Sequence, residues 1–293
     1  MTATVSTASP ARKKSSALTW AAWLGMVPFL VFGLAFEFLP LLTVIRSSLL
    51  SKGVPTLEFY RQALDPLYLR SFGNSLKLSA TTAGLGVIFG TLVAYAIITT
   101  KNQFVQNALT ALSDVTTNFG GAPLAFAFIV ILGSTGVITL LLKEIGIYLY
   151  PNFRIYSISG LTVAYLYFQL PLMILLIIPS LHGLKREWRE AALNLGASTS
   201  RYWLEIALPI LLPALMSGFL LLFANSFGAY ATAWTLTGSD VDLITIRIAA
   251  LIRGEVQLAP ELADALSIMS LLIMTACVIG YLRLSTLSRQ ARQ

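Results

Sequence analysis

"EAALNLGASTSRYWLEIALP", residues 190–209, lies between two long apolar stretches, yet it carries Glu190, Arg201 and Glu205. Lys185, Arg186, Glu187 and Arg189 stand just before it. Leu184, Trp188, Ala191, Ala192 and Leu195 recur at helical spacing and form one apolar stripe, with the charged residues largely elsewhere. Gly196 suits the C′ position of that helix, where the chain takes a positive φ. Ser198, Thr199 and Ser200 offer N-cap side chains for a second helix through Tyr202, Trp203 and Ile206, expected to end before Pro209. The stretch predicts helix, sharp turn, helix and then a further apolar run. Ala191 and Ala192 put small side chains on the first helix, where another protein could approach closely.

Composition sets the surroundings. Of 293 residues, 56% are hydrophobic and 11% charged, against about 25% charged in a soluble domain. The mean hydropathy is +0.77. These values predict an integral membrane protein in a lipid bilayer. Cys277 is the only cysteine and His182 the only histidine. No disulfide, metal site, cofactor site or histidine-based catalytic triad is therefore expected. The pI near 9.6 does not predict nucleic-acid binding, because the basic residues are not clustered with aromatics in a soluble domain.

A helix needs about 20 apolar residues to cross a bilayer. Six stretches qualify: 18–48, 74–99, 106–132, 157–180, 209–234 and 262–282. "DVTTNFGGAP" (114–123) interrupts the third, and a span from Phe119 to Leu142 is an alternative. Glu37 and Pro40 interrupt the outer half of the first, and Pro171 and Pro179 are expected to kink or end the fourth. Gly86 and Gly90 form a GxxxG, with Gly84 nearby, which predicts close helix packing. Residues 1–17 are small, polar and basic and are expected to be a disordered tail. The apolar run after them is too long for a signal peptide.

Lysine and arginine set the orientation. Arg12, Lys13, Lys14, Lys101, Lys185, Arg186, Arg189, Arg201, Arg283, Arg289 and Arg292 fall on one side, and the three short basic clusters are all among them. Cytoplasmic loops carry such an excess. Six spans then leave both termini and residues 181–208 in the cytoplasm, with residues 51–73 outside.

The spacing Glu190-Ala191-Ala192, three residues, Gly196, nine residues, Ile206, one residue, Leu208-Pro209 matches every fixed position of the EAA motif. The chain thereby resembles the permeases of ABC importers. "LPLMILLIIPSL" before the loop, "LPILLPALMSGFLLLF" after it, and "NSFGAYATAWTLTG" further on are similar to the same family. The resemblance implies an all-α polytopic membrane protein with six transmembrane helices and the type I ABC importer permease fold. It implies a bacterial cytoplasmic membrane location and a permease core at 74–282 with its coupling loop at 181–208. A first transmembrane helix at 18–50 would precede that core and a tail at 283–293 would follow it. The partners it implies are a cytoplasmic ATPase dimer, a second permease subunit (a related chain or a second copy) and an extracytoplasmic substrate-binding protein. Glu190, Ala191, Ala192 and Gly196 would couple to the ATPase, with Trp188 and Arg189 beside them. The chain has no GxxxxGK[ST] phosphate loop, so ATP hydrolysis is expected in the partner. A channel or secondary transporter would need no ATPase, and the EAA spacing argues against both.

Within the family, "FANSFGAYATAWTLTG" is most similar to the branch importing polyamines, iron(III), thiamine, sulfate, molybdate and phosphonates, which makes a polyamine or another organic or inorganic ion the expected solute. Many members carry an acidic residue before the Phe-Gly, where this chain has Ser226. Two spans hold polar or glycine-rich interruptions, 114–121 and 225–230. Irregular backbone at membrane depth lines a cavity or is buried by protein, and paired interruptions point to a translocation site. Asp114, Asn118, Asn225, Ser226 and Tyr230 are the candidate pathway residues. Glu37 is a further candidate as an acidic residue within a span, with an interfacial position as the alternative.

Overall fold

The computed structural model describes residues 26–51, 53–255 and 257–290, so the 1–17 tail lies outside the described residues. The first helix, α1 (residues 26–49), leads into a two-residue-per-strand hairpin, β1 (Leu50–Ser51) and β2 (Val54–Pro55), and a short α2 (Glu58–Gln62). The next helix, α3 (Pro66–Thr99), starts eight residues before the expected 74. Asp65 caps it by accepting from the Leu67 amide at 2.8 Å, and Pro66 occupies the first turn. Its 34 residues make a rod of about 50 Å, longer than the hydrocarbon core.

Next come α4 (Gln103–Thr117), capped by Asn102, then α5 (Gly121–Leu132) and α6 (Val137–Glu144). Residues 121–144 are apolar and long enough to cross a membrane, but the contacts place the crossing at 103–132. Gln106 donates to the carbonyls of Ile98 and Thr100 at the end of α3, which anchors the start of α4 there. Phe119 meets Tyr167, about 15 Å along the 25-residue α7 (Ile158–His182). The Tyr150 hydroxyl donates to the Leu132 carbonyl, which places the end of α5 beside the start of α7. So α4 crosses one half of the bundle and α5 the other, with a break at mid-depth.

Pro171 and Pro179 do not end α7, which runs on to His182. After α8 (Arg186–Asn194), α9 (Thr199–Gly228) passes straight through Pro209, contrary to the expected stop. A π turn at Trp203–Ala207, closed by the Leu208 amide on the Trp203 carbonyl, precedes that proline. The same device, Leu34–Phe38 closed by Leu39 on Leu34, stands two residues before Pro40 in α1. A proline ring strikes the carbonyl four residues back. One extra residue in the turn relieves that clash and keeps the helix going.

Beyond Gly228 follow α10 (Tyr230–Thr237), α11 (Ile244–Arg253) and α12 (Pro260–Gln290). Among the described residues the chain makes six crossings: α1, α3, α4 with α5, α7, α9 with α10, and α12. Their middle packs as one core, in which α3 touches α7 and α9 and α12 touches α9 and α1. Gly86 and Gly90 sit at the closest approach. A Cβ at Gly90 would lie 2.7 Å from the Met173 Cβ, and one at Gly86 would lie 2.7 Å from Leu222 Cδ2. Outward faces, such as Phe29, Phe32 and Phe36 of α1 and Ile88 and Leu92 of α3, are exposed and apolar, as lipid contact requires.

Candidate functional site

Two features stand apart from the packed core: the segment between α7 and α9, and a cavity where the broken helices meet.

The segment begins with α8, and the first stretch read from the sequence folds there as a helix with a sharp end. The Ala197 amide donates to the Ala192 carbonyl and the Gly196 amide to the Leu193 carbonyl, with Gly196 at φ +81°. These paired bonds close the helix as a Schellman turn. Ser198 then accepts from the Arg201 amide at 3.2 Å and starts α9. Leu184, Trp188 and Ala192 face inward and join Tyr202, Trp203, Ile206 and Ala207 in a small apolar cluster. Tyr95 of α3 meets Trp203 edge-on at 5.0 Å, which fixes this cluster to the end of the helix bundle. The expected single stripe is split: Ala191 faces out, and Leu195, at the end of the helix, is 89% exposed.

Glu190 and Arg189 are exposed as well. Glu190 accepts from Arg186 Nε at 2.7 Å, and Arg201 pairs with Glu205 one turn on, at 2.9 Å. Both pairs are exposed, so each contributes only about 0.3–0.5 kcal/mol. The Arg-before-Glu order of both is the weaker one on a helix. The charged face of α8 is therefore not what holds this segment together. The inward apolar cluster and the Schellman turn do that, and Glu190, Arg189, Ala191 and Leu195 stay exposed on the outer side.

The cavity measures about 490 Å³. It opens at the breaks between α4 and α5 and between α9 and α10. The Thr232 hydroxyl bridges the two breaks by donating to the Gly121 carbonyl at 3.3 Å. The Tyr165 hydroxyl, from α7, donates to the Ala229 carbonyl at 2.6 Å and holds the second break open. Asn118, Asn225 and Tyr230 line the cavity together, with Thr117, Phe168 and Thr232. The Tyr230 hydroxyl is buried and has no hydrogen-bond partner among the described residues. Asp114 lies one turn before Asn118, whose side-chain amide donates to the Asp114 carbonyl. Ser226 is turned away from the cavity: it is buried and bonded to Thr82 of α3 at 2.9 Å. Glu37 is far from this place in the chain, on the exposed π turn of α1.

Phe168 and Thr232 also line the cavity, and neither is a candidate on sequence grounds. Phe168 is one apolar residue among many in its span, beside Gln169, and gives no signal there. Thr232 lies two residues beyond the 225–230 interruption that holds Asn225 and Tyr230, and it lines the same cavity.

Residues 71–291 match the family model described as binding-protein-dependent transport system inner membrane component. The chain belongs to this family. The transport component is 28% identical over 178 residues to the probable sulfate transport system permease protein cysT of Prototheca wickerhamii. It is 27% identical over 192 residues to the spermidine/putrescine transport system permease protein PotB of Haemophilus influenzae. These alignments cover 60% and 64% of this chain and 66% of each relative, so the chain spans about two thirds of their length. With PotB of Escherichia coli the identity is 26%, over 71% of this chain and 78% of that one. In three dimensions the transport component is similar to a chain in the crystal structure of a bacterial ABC transporter involved in the import of the acidic polysaccharide alginate. The TM-score is 0.69 at 16% identity, covering 94% of this chain and 96% of that one. The fold is that of an ABC importer permease.

Proposed function

We propose that this chain is the permease subunit of an ATP-driven importer of a small polar solute. It sits in a bacterial cytoplasmic membrane with both termini and the α8 segment in the cytoplasm. A separate ATPase pair grips α8, a second permease completes the pathway, and an extracytoplasmic binding protein delivers the solute. The observation that carries this reading is the geometry of α8. It is a short helix fixed to the bundle by its inner face and stopped by Gly196, and it projects Glu190, Arg189, Ala191 and Leu195 outward. Such a rigid stub, continuous through one turn with the 30-residue α9, can hand a push from a bound ATPase to a crossing helix.

The solute crosses at the cavity between the two helix breaks, with Asn118, Asn225 and Tyr230 in its wall and Asp114 one turn below. A polyamine or another small ion is supported by the relatives, which are named as spermidine/putrescine and sulfate permeases. Ser226 contributes indirectly, through its bond to Thr82.

The test is co-purification. The chain is expressed with its cognate ATPase, and the subunit ratio is measured for wild type and Glu190→Lys. Where Glu190 meets a cation of the ATPase, reversing its charge sets like charges against each other in a partly desolvated contact, at a cost of several kcal/mol. The variant is expected to insert normally and lose the ATPase. A wild-type ratio in Glu190→Lys would reject Glu190 as a contact.

A further inference from the structure

We propose that one face of α4, formed by Gln103, Asn107, Thr110 and Asp114 and continued by Asn118 at its C-cap, is a hydrated track that leads a cationic solute from the cavity to the cytoplasm. In this track Asp114 is the group that favours positive charge. The inference rests on the importer reading, because that reading places the start of α4 in the cytoplasm.

The five residues are spaced four, three, four and four apart. At 3.6 residues per turn they fall within about 80° of one another around the helix. Thr110 is partly exposed and the other four are exposed. The neighbouring sector, with Gln106 and Ser113, packs against the bundle. The sector on the other side is apolar and exposed, through Phe104, Leu112 and Val115. The polar residues are thus neither scattered nor packed away. They form a continuous strip the length of α4, and the strip ends at Asn118 in the cavity wall.

The anchor points fix the depth of this strip. The start of α4 is tied to the end of α3 by Gln106, and its last turn reaches the middle of α7. The strip therefore runs through the cytoplasmic half of the bilayer. Lipid cannot solvate five polar side chains there, one of them a carboxylic acid, so this face meets either water or the polar surface of another protein, and its run into the cavity wall at Asn118 points to water.

Charge then selects the solute. Asp114 has no ion-pair partner among the described residues, and neither lysine nor arginine stands on the strip. Lys101 lies before α4, at the mouth, and Arg253 sits on the far side of Tyr230, stacked over its ring and that of Trp234 and 3.6 Å from Glu255. The amides and hydroxyl of the strip accept hydrogen bonds from ammonium groups. A dianion such as sulfate would have to pass the Asp114 carboxylate, which no cation on the strip offsets.

The experiment needs no knowledge of the natural solute. Single cysteines replace Asn107, Asn118 and, as a lipid-facing control, Leu92 in the full-length Cys277→Ser chain. Inside-out membrane vesicles are treated with a cationic thiol reagent, methanethiosulfonate ethyltrimethylammonium, or its anionic counterpart, methanethiosulfonate ethylsulfonate. Asn107→Cys and Asn118→Cys are expected to react and Leu92→Cys to stay unmodified. At Asn118→Cys the cationic reagent should exceed its advantage over the anionic one on a free thiol by at least about fivefold. That excess should vanish on adding Asp114→Asn, which keeps the size of the side chain. Lack of reaction at both track positions would remove the track. Reaction without a cationic preference, or a preference that survives Asp114→Asn, would remove the selection. Each result is independent of ATPase binding by Glu190→Lys, so failure here leaves the importer reading standing.

Discussion

Gln169 and Leu222 join α7 to α9 in the centre of the bundle: the Gln169 Nε2 donates to the Leu222 carbonyl at 2.8 Å, and Gln169 is fully buried. The Gln169 Oε1 has no partner among the described residues. The bond is a gain and the orphaned oxygen a cost, each of about 1 kcal/mol or somewhat more. Gln169→Leu removes both at similar volume and should shift stability by less than about 1 kcal/mol. Gln169→Glu keeps the volume but buries a carboxyl group, and should cost on the order of 3 kcal/mol or more. Thermal unfolding in detergent micelles separates the two, and equal midpoints for both variants would contradict this account of the site.

Gly90 tests the packing that surrounds this bond. A leucine there would drive its Cβ into Met173 and towards the Leu170 carbonyl at 3.2 Å, which are α7 side-chain and backbone atoms with little room to yield. Overpacking costs about 1–3 kcal/mol. Gly90→Leu should lower the unfolding midpoint, whereas Gly84→Leu, with open space around its Cβ position, should not. A midpoint unchanged in Gly90→Leu would show that α3 and α7 are not held this close.

Much of the α8 segment is legible in the sequence because its signals are local. Gly196 can stop a helix and Ser198 can start one whatever the rest of the chain does. The continuity of α9 is not legible, because Pro209 reads as a stop and the π turn that accommodates it leaves no mark in residue types. Pro40 misleads in the same way. Ser226 shows a different limit. Its polarity is visible, but whether it faces a cavity or Thr82 depends on the phase of α9 against α3, which only the packing sets. Phe168 is invisible for the converse reason, since an apolar residue that lines a cavity looks like one that fills a core. The third crossing divides similarly. Its polar break at 114–121 is plain, but composition leaves both 106–132 and 119–142 open, and the contacts of Gln106 and Tyr150 favour a crossing at 103–132.

The orientation predicts a labelling pattern. Thr199 and Ser239 are both exposed and lie on opposite sides of the bundle. In a Cys277→Ser background, an impermeant thiol reagent added outside intact cells should label Ser239→Cys and leave Thr199→Cys unmodified until the membrane is opened. Labelling of Thr199→Cys in intact cells would invert the chain and separate α8 from any cytoplasmic ATPase.

The cavity predicts a transport defect without an assembly defect. Asn225 is exposed into the cavity wall and makes no bond that holds the break together, unlike Tyr165 and Thr232. Asn225→Ala should lower uptake of the solute carried by the cognate binding protein about tenfold, the equivalent of 1.4 kcal/mol, while the ATPase remains bound. Normal uptake in both Asn225→Ala and Asp114→Ala would make the paired breaks a packing feature only.

The central claim is that α8 passes ATP-driven movement into α9 through the left-handed turn that Gly196 makes. Its φ of +81° is a backbone conformation that a β-branched residue resists, and nothing crowds its Cβ position, so Gly196→Val strains the turn without a steric clash elsewhere. The exposed Glu190 and its neighbours are untouched by that change. The most direct measurement is binding-protein-stimulated ATP hydrolysis by the purified, reconstituted complex carrying Gly196→Val, with the subunit ratio determined on the same sample. The account predicts a bound ATPase whose stimulation is lost together with uptake. Wild-type stimulation and uptake in Gly196→Val would contradict it.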